Sequence, residues 1–192
     1  MSISRSSPYA SALSPEFALL GFLVQRPAHG YDLYQRLTAE LGQVWHISLS
    51  QVYNILKRLE AQGAILGETE TQDKLPARRL FHLTEAGQQR FETWLRTPKG
   101  CSVRAIRVEF TTRLYFALAR EHSLARSLID AQAAAIRAGL ARLETSLDEL
   151  PTGQRFNRLG LALRIGQLAS ILDWLDACRG ELGLSQVKEN NP

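Results

Sequence analysis

The chain has 192 residues, 45% of them hydrophobic and 22% charged, a composition that suits one large or two small folded domains with a real core. Its formal net charge of +4 is compatible with a polyanionic partner without requiring one: residues 1–97 hold ten Lys and Arg against nine Asp and Glu, and residues 98–192 hold thirteen against ten. No run approaches the roughly 18 to 20 apolar residues of a membrane span, no apolar signal block opens the chain, and Cys101 and Cys178 lack a CxxC partner, so the reading is a cytoplasmic protein without membrane contact, disulfide framework, metal site or cofactor.

Met1 to Leu13 is rich in serine, shows no apolar period and reads as a tail, residues 1–13. Ser14-Pro15-Glu16 then offers a cap, a first-turn proline and an acid ahead of an amphipathic helix carrying Phe17, Leu20, Gly21 and Val24, which Pro27 ends. A second helix follows Gly30, with Leu33, Leu37 and Leu41 on one face, and Gly42 stops it. Ser48 and Gln51 form the S-x-x-Q capping box of a third helix. Val52, Ile55, Leu56 and Leu59 make its buried side. Ser50, Asn54 and Lys57 occupy the middle of the opposite side, flanked by Tyr53 and Arg58, with Gln51 at the margin.

After Gly63, two extended runs at 64–69 and 78–83, joined by the polar segment 70–77, predict a β-hairpin. Thr84-Glu85-Ala86-Gly87 opens a fourth helix that turns Phe91, Trp94 and Leu95 inward. Three helices, a hairpin and a helix over residues 14–97 make a winged helix-turn-helix. Residues 98–104 read as a linker, 105–183 as a helical domain and 184–192 as a tail. Ile106, Phe110, Leu114 and Leu118 share a face. Beyond them Ile129, Ile136, Leu143 and Leu150 repeat every seven residues, with Ala133, Leu140 and Leu147 between, and Leu161, Leu168, Leu175 and Leu182 do the same around Ile165 and Leu172. Pro151-Thr152-Gly153 supplies the turn. The fold class is therefore mainly α, an amino-terminal winged helix-turn-helix followed by an antiparallel helical dimerisation domain. Its dimer residues would be Ile129, Ile136, Leu140, Leu143, Leu147, Leu161, Ile165, Leu168, Leu172 and Leu175.

Leu19-Leu20-Gly21, His29-Gly30-Tyr31-Asp32-Leu33, Ser48-Leu49-Ser50-Gln51-Val52-Tyr53, Leu56-Lys57-Arg58-Leu59-Glu60 with Gly63, and Leu80-Phe81-His82-Leu83-Thr84-Glu85-Ala86-Gly87 stand in an ordered series. That series resembles the PadR family of bacterial regulators, and Asp173-Trp174-Leu175 is similar to its longer members, whose carboxyl-terminal helices form the dimer. The resemblance implies a transcriptional regulator, a repressor bound as a homodimer to an inverted-repeat operator of double-stranded DNA, and not an enzyme. No nucleophile elbow, phosphate-cradling glycine loop or paired-carboxylate motif argues otherwise.

A third helix in this setting presents its polar face to the major groove. Gln51 and Asn54 suit adenine edges, Lys57 suits guanine acceptors, and Ser48, Ser50 and Tyr53 suit phosphates or a thymine methyl, with Tyr53 and Arg58 positioning more than specifying. Lys74, Arg78 and Arg79 would lie with the wing over the minor groove or flanking backbone, Arg78 foremost. By resemblance, His29 and Tyr31 would stand near the DNA backbone, the alternative being buried, hydrogen-bonded residues. Trp94, Phe110, Tyr115, Phe116 and Trp174 either fill the core or line a pocket for a small aromatic effector, as in family members that sense phenolic acids. A pure protein-interaction adaptor is a further alternative.

Overall fold

The computed structural model describes residues 14–72, 75–97 and 102–184, with the backbone alone at 71, 72 and 75–77. The expected tail at 1–13, Lys74, Cys101, linker residues 98–101 and tail residues 185–192 lie outside the described residues. The chain forms two compact units that divide between Trp94 and Leu95.

The first unit runs α1 (Glu16–Gln25), β1 (Ala28–His29), α2 (Gly30–Leu41), α3 (Leu49–Ala61), β2 (Ile65–Gln72), β3 (Leu75–Leu83) and α4 (Glu85–Arg96), whose last turn crosses the division. Its sheet is antiparallel with strand order β1-β3-β2. The result is a winged helix-turn-helix, as expected, but three local readings need correction.

α1 is not amphipathic: Ala18 to Leu23 are all buried, because the helix packs against α2, α3 and β3 at once. Nor does Ser14 cap it. Pro15 holds the cap position without a side-chain bond, and the Ser14 hydroxyl instead accepts from Arg58 Nη2 at 3.3 Å. Gly42 does end α2, as its position implied, in the right-handed region at φ −63°. The N–H groups of Val44 and Trp45 turn back onto the Leu41 carbonyl at 2.9 and 2.8 Å, and the buried Trp45 ring secures the turn. Finally, the segment 70–77 is mostly strand, not loop: Glu70 pairs with Arg78 and Gln72 with Leu75, around a register irregularity. The pairing runs through backbone groups, and the sequence from Glu70 to Arg78 carries no apolar alternation from which a strand could be read.

The junction between wing and α4 accounts for the Leu83-Thr84-x-x-Gly87 pattern. Gly63 adopts φ +70° so that the Ala64 N–H can reach the Leu59 carbonyl at 2.9 Å, closing α3. The Thr84 hydroxyl donates to the Gly63 carbonyl at 2.7 Å and accepts from the Gly87 N–H at 3.1 Å. A Cβ on Gly87 would stand 2.0 Å from the Ala64 carbonyl oxygen, so the two backbones can meet only at a glycine.

In the second unit, the Ser102 hydroxyl accepts from the Ala105 N–H at 3.1 Å and caps α5 (Val103–Ala105), placing Val103 and Arg104 in helix where a linker was expected. A π-helical turn, Ile106–Phe110, continues into α6 (Thr111–Arg120), and the Thr111 N–H reaches the Ile106 carbonyl five residues back. Arg113 is buried on α6 beside Glu109, 3.6 Å away. Burial lowers its pKa while the Glu109 carboxylate raises it.

α7 (His122–Glu149) and α8 (Arg155–Glu181) form an antiparallel hairpin. Arg179 pairs with Asp130 at 2.7 Å near one end, and Arg158 donates to the Leu147 and Leu150 carbonyls at 2.8 and 2.9 Å near the other. Leu184, read as the first residue of a tail, is packed. Gly183 at φ +63° lets the Leu184 N–H bond the Arg179 carbonyl at 2.8 Å, and its buried side chain completes the cap. No described helix is long and apolar enough to cross a membrane.

Candidate nucleic-acid interface

α3 starts where local chemistry dictates. The Ser48 hydroxyl accepts from the Gln51 N–H at 3.3 Å and Gln51 Oε1 accepts from the Ser48 N–H at 2.7 Å, both halves of the capping box. Val52, Ile55, Leu56 and Leu59 are buried, which forces Ser50, Gln51, Tyr53, Asn54, Lys57 and Arg58 to the solvent side. The box has a consequence for Gln51. Oε1 already accepts at the cap, which holds the amide in place with its Nε2 directed outward, whereas neither polar atom of the Asn54 amide is engaged among the described residues.

His29 and Tyr31 bracket Gly30 at the start of α2 for a steric reason. A Cβ on Gly30 would come within 2.6 Å of Tyr53 Cε1, so the absent side chain lets the Tyr53 ring settle over the entry to α2. The Tyr31 hydroxyl accepts from Gln35 Nε2 at 2.6 Å. These elements and the wing enclose an open cleft of about 640 Å³. Seven of the residues singled out in the sequence line it together, namely His29, Tyr31, Tyr53, Asn54, Lys57, Arg78 and Arg79, with Gly30, Asp32, Glu60 and Phe81 completing the wall. Ser48, Ser50 and Gln51 are not among its lining and stand at the start of α3.

The cations of this surface fall into two groups. Lys57 and Arg78 are exposed and make no ion pair among the described residues. Arg58 and Arg79 are tied down. Arg58 Nη2 lies 3.1 Å from Glu16 Oε2, and Glu16 Oε1 takes Arg90 at 2.5 Å, so the flank of α3 is anchored to α1 and α4. Arg79 Nη2 lies 2.5 Å from Glu60 Oε1 and donates to the Gly67 carbonyl at 3.2 Å, while its own carbonyl meets His29 Nδ1 at 3.1 Å. The sequence reading missed Glu16, Glu60 and Gly67. Their partners stand far off in the chain, and no short-range spacing marks them.

The ten seam residues are placed unevenly. Ile129, Ile136, Leu168 and Leu175 are buried within the single chain, whereas Leu140, Leu143, Leu147, Leu161, Ile165 and Leu172 are only half-buried. A second apolar stripe on α8, Phe156, Leu159 and Leu163, was not read from the sequence and is 89%, 65% and 63% exposed. Of the five aromatic residues, Trp94 stacks on Phe17 in the first unit at 4.7 Å between centroids. In the second unit, Phe110 meets Trp174 edge-on at 6.2 Å, and Tyr115 meets Phe116 edge-on at 4.9 Å.

Comparison with known proteins follows the same division. Residues 19–93 match the profile of the Transcriptional regulator PadR-like family, and residues 106–183 match the Virulence activator alpha C-term profile. The chain is 30% identical over 135 residues to the negative transcriptional regulator PadR of Bacillus subtilis, covering 70% of this chain and 74% of that protein. Among solved structures, Bacillus subtilis PadR in complex with operator DNA aligns at 26% identity over 87% of this chain and 98% of that one, with a TM-score of 0.44. The same protein in complex with p-coumaric acid aligns at 24% identity over 88% of this chain and 98% of that one, with a TM-score of 0.40.

Proposed function

The chain belongs to the PadR-like family of transcriptional regulators, and from that premise we propose that it binds an inverted-repeat DNA operator as a homodimer and represses by occluding a promoter. The observation that carries this reading is the cleft between α3, the start of α2 and the wing, where Asn54, Lys57 and Arg78 project beside Tyr53, His29 and Tyr31. Asn54 and Lys57 sit on successive turns of a helix whose apolar side is fully committed, at the spacing that reaches base edges along one groove. Ser48, Ser50 and the free Gln51 Nε2 extend the face toward the start of α3, and Arg78 carries the wing's charge to the backbone. The half-covered seam of α7 and α8 supplies the two-fold, setting the paired α3 helices about one helical turn of DNA apart, or a multiple of it.

Asn54→Ala with Lys57→Ala is expected to weaken binding to a fragment upstream of the gene by at least about tenfold in a gel shift, the scale of one lost base contact. Retention at the wild-type level refutes the reading. A second reading adds release by a small aromatic effector, favoured by the Trp174 ring, which is 38% exposed beside Phe110. Titration with a phenolic acid should quench Trp174 fluorescence and free the DNA in parallel. Quenching without release sinks it.

A further inference from the structure

We propose that Arg79 and Glu60 do not touch DNA but form the joint that fixes the wing against the helix-turn-helix, so that Glu60 strengthens operator binding in spite of its charge. The inference rests on the operator reading above and assigns Arg79 a different part from Arg78. By its sequence position alone, Arg79 is a wing arginine like its neighbour. In the fold, its guanidinium meets Glu60 Oε1 at 2.5 Å and the Gly67 carbonyl at 3.2 Å, and lies 5.5 Å from the centre of the Phe81 ring. Glu60 Oε1 accepts a second bond from the Gly67 N–H at 3.0 Å, so carboxylate, guanidinium and both backbone polar groups of one residue close a ring.

Gly67 is part of the device. A Cβ there would stand 2.7 Å from Arg79 Nη2 and 2.9 Å from Glu60 Oε1, so a side chain would break the joint open. The Arg79 carbonyl meets His29 Nδ1 at 3.1 Å, which extends the joint to the start of α2. One wing residue thus links the last turn of α3, both wing strands and the entry of α2, the elements that carry the proposed DNA contacts.

A lone half-exposed ion pair would contribute little. This one is held by backbone groups on two sides, and its value is geometric: it sets the angle at which wing and α3 meet a duplex. If Arg79 were instead drawn off to a phosphate, the Glu60 carboxylate would be stranded in an anionic groove and the Gly67 carbonyl released.

The two roles predict opposite signs. As a joint, Glu60→Ala weakens binding to the upstream fragment by about tenfold, the loss of one charge-assisted bond, and Arg79→Ala does the same. Arg79→Lys keeps the charge but not the paired geometry, and falls with them. Glu60→Gln keeps the acceptor for Gly67 and Arg79 and stays within about threefold of wild type, since only the charge is lost. The Glu60→Ala, Arg79→Ala double variant is no weaker than either single one.

On a short mixed-sequence duplex, the slope of log affinity against log salt is unchanged by Arg79→Ala and falls by about 0.9 for Arg78→Ala, one phosphate contact. Thermal unfolding by circular dichroism should show a cooperative transition for every variant used. Tighter binding by Glu60→Ala, wild-type binding by Arg79→Lys, or a shallower slope for Arg79→Ala overturns the joint. If Lys57→Ala leaves affinity for the upstream fragment unchanged and Arg78→Ala leaves the slope unchanged, the operator face itself is wrong, a failure distinct from that of the joint.

Discussion

Thr84 joins two secondary elements through one hydroxyl, which donates to the Gly63 carbonyl and accepts from the Gly87 N–H. Thr84→Val keeps the shape and removes both bonds, so it should cost about 1 to 2 kcal/mol in urea unfolding. Gly87→Ala should cost more, because its Cβ would stand 2.0 Å from a backbone oxygen that cannot swing away. A smaller loss for Gly87→Ala than for Thr84→Val would mean that the two backbones are not in contact. The cap at Thr84 was legible in Thr84-Glu85-Ala86-Gly87 because capping is local. Its bond to Gly63, across the whole wing, was not. Cys178 gives a pH-dependent case. Burial, with the Glu181 carboxylate in support, raises its thiol pKa. A raised value means that the folded state holds the proton longer, so this contribution to stability is present below the ordinary thiol pKa and is lost as pH climbs through the raised one. In a Cys101→Ser background, Cys178 should therefore react with iodoacetamide at neutral pH more slowly than the unfolded chain does. Equal rates would refute the shift.

At the scale of elements, α3 was the most legible segment and α1 the least. The third helix announces its start through Ser48 and Gln51 and its buried side through four aliphatic residues at steps of three and four, and both signals are short-range. α1 is surrounded, so its apolar residues carry no direction and a stripe cannot be read from them. β1 was missed for a related reason: two residues, Ala28 and His29, become a strand only because Phe81 and Leu80 lie opposite. The capping box separates stability from recognition at one position. Gln51→Glu keeps an acceptor for the Ser48 N–H and places a negative charge at a helix amino terminus, so thermal stability should hold or rise slightly. On the proposed operator face the same carboxylate would meet phosphates, so DNA affinity should fall by about tenfold and fall further at low salt, where repulsion is least screened. Loss of both stability and binding would place Gln51 in the fold alone, and loss of neither would take the start of α3 out of the interface. Gln51→Ala, by contrast, should cost about 1 kcal/mol of stability as the reciprocal cap bond is lost.

For the whole molecule, the hardest distinction to draw from sequence was between a seam closed within one chain and a seam closed between two. The seven-residue repeats in α7 and α8 are satisfied by either arrangement, since a leucine buried against its own hairpin and one buried against a partner look alike in the sequence. Within the single chain the seam residues differ in coverage. Ile129, Ile136, Leu168 and Leu175 already have their burial, whereas Leu140, Leu143, Leu147, Leu161 and Ile165 have only half of theirs, and Phe156, Leu159 and Leu163 have little. A homodimer that uses the uncovered end of the hairpin predicts different consequences for the two sets. Ile136→Asp strikes the core of a single chain and should abolish cooperative unfolding. Phe156→Glu with Leu163→Glu touches nothing buried in the chain and should leave helix content unchanged. In the assembly each replacement occurs twice about a two-fold axis, so four apolar side chains are lost, each worth about 1.5 to 3 kcal/mol when fully buried, enough to dissociate a micromolar dimer. Sedimentation should then show a monomer. Binding to a two-half-site fragment should collapse toward that of a single half-site, because one α3 helix would have to hold the DNA without its pair. A dimer that survives the paired glutamates would move the two-fold off this stripe and back to the seam residues closer to Leu172.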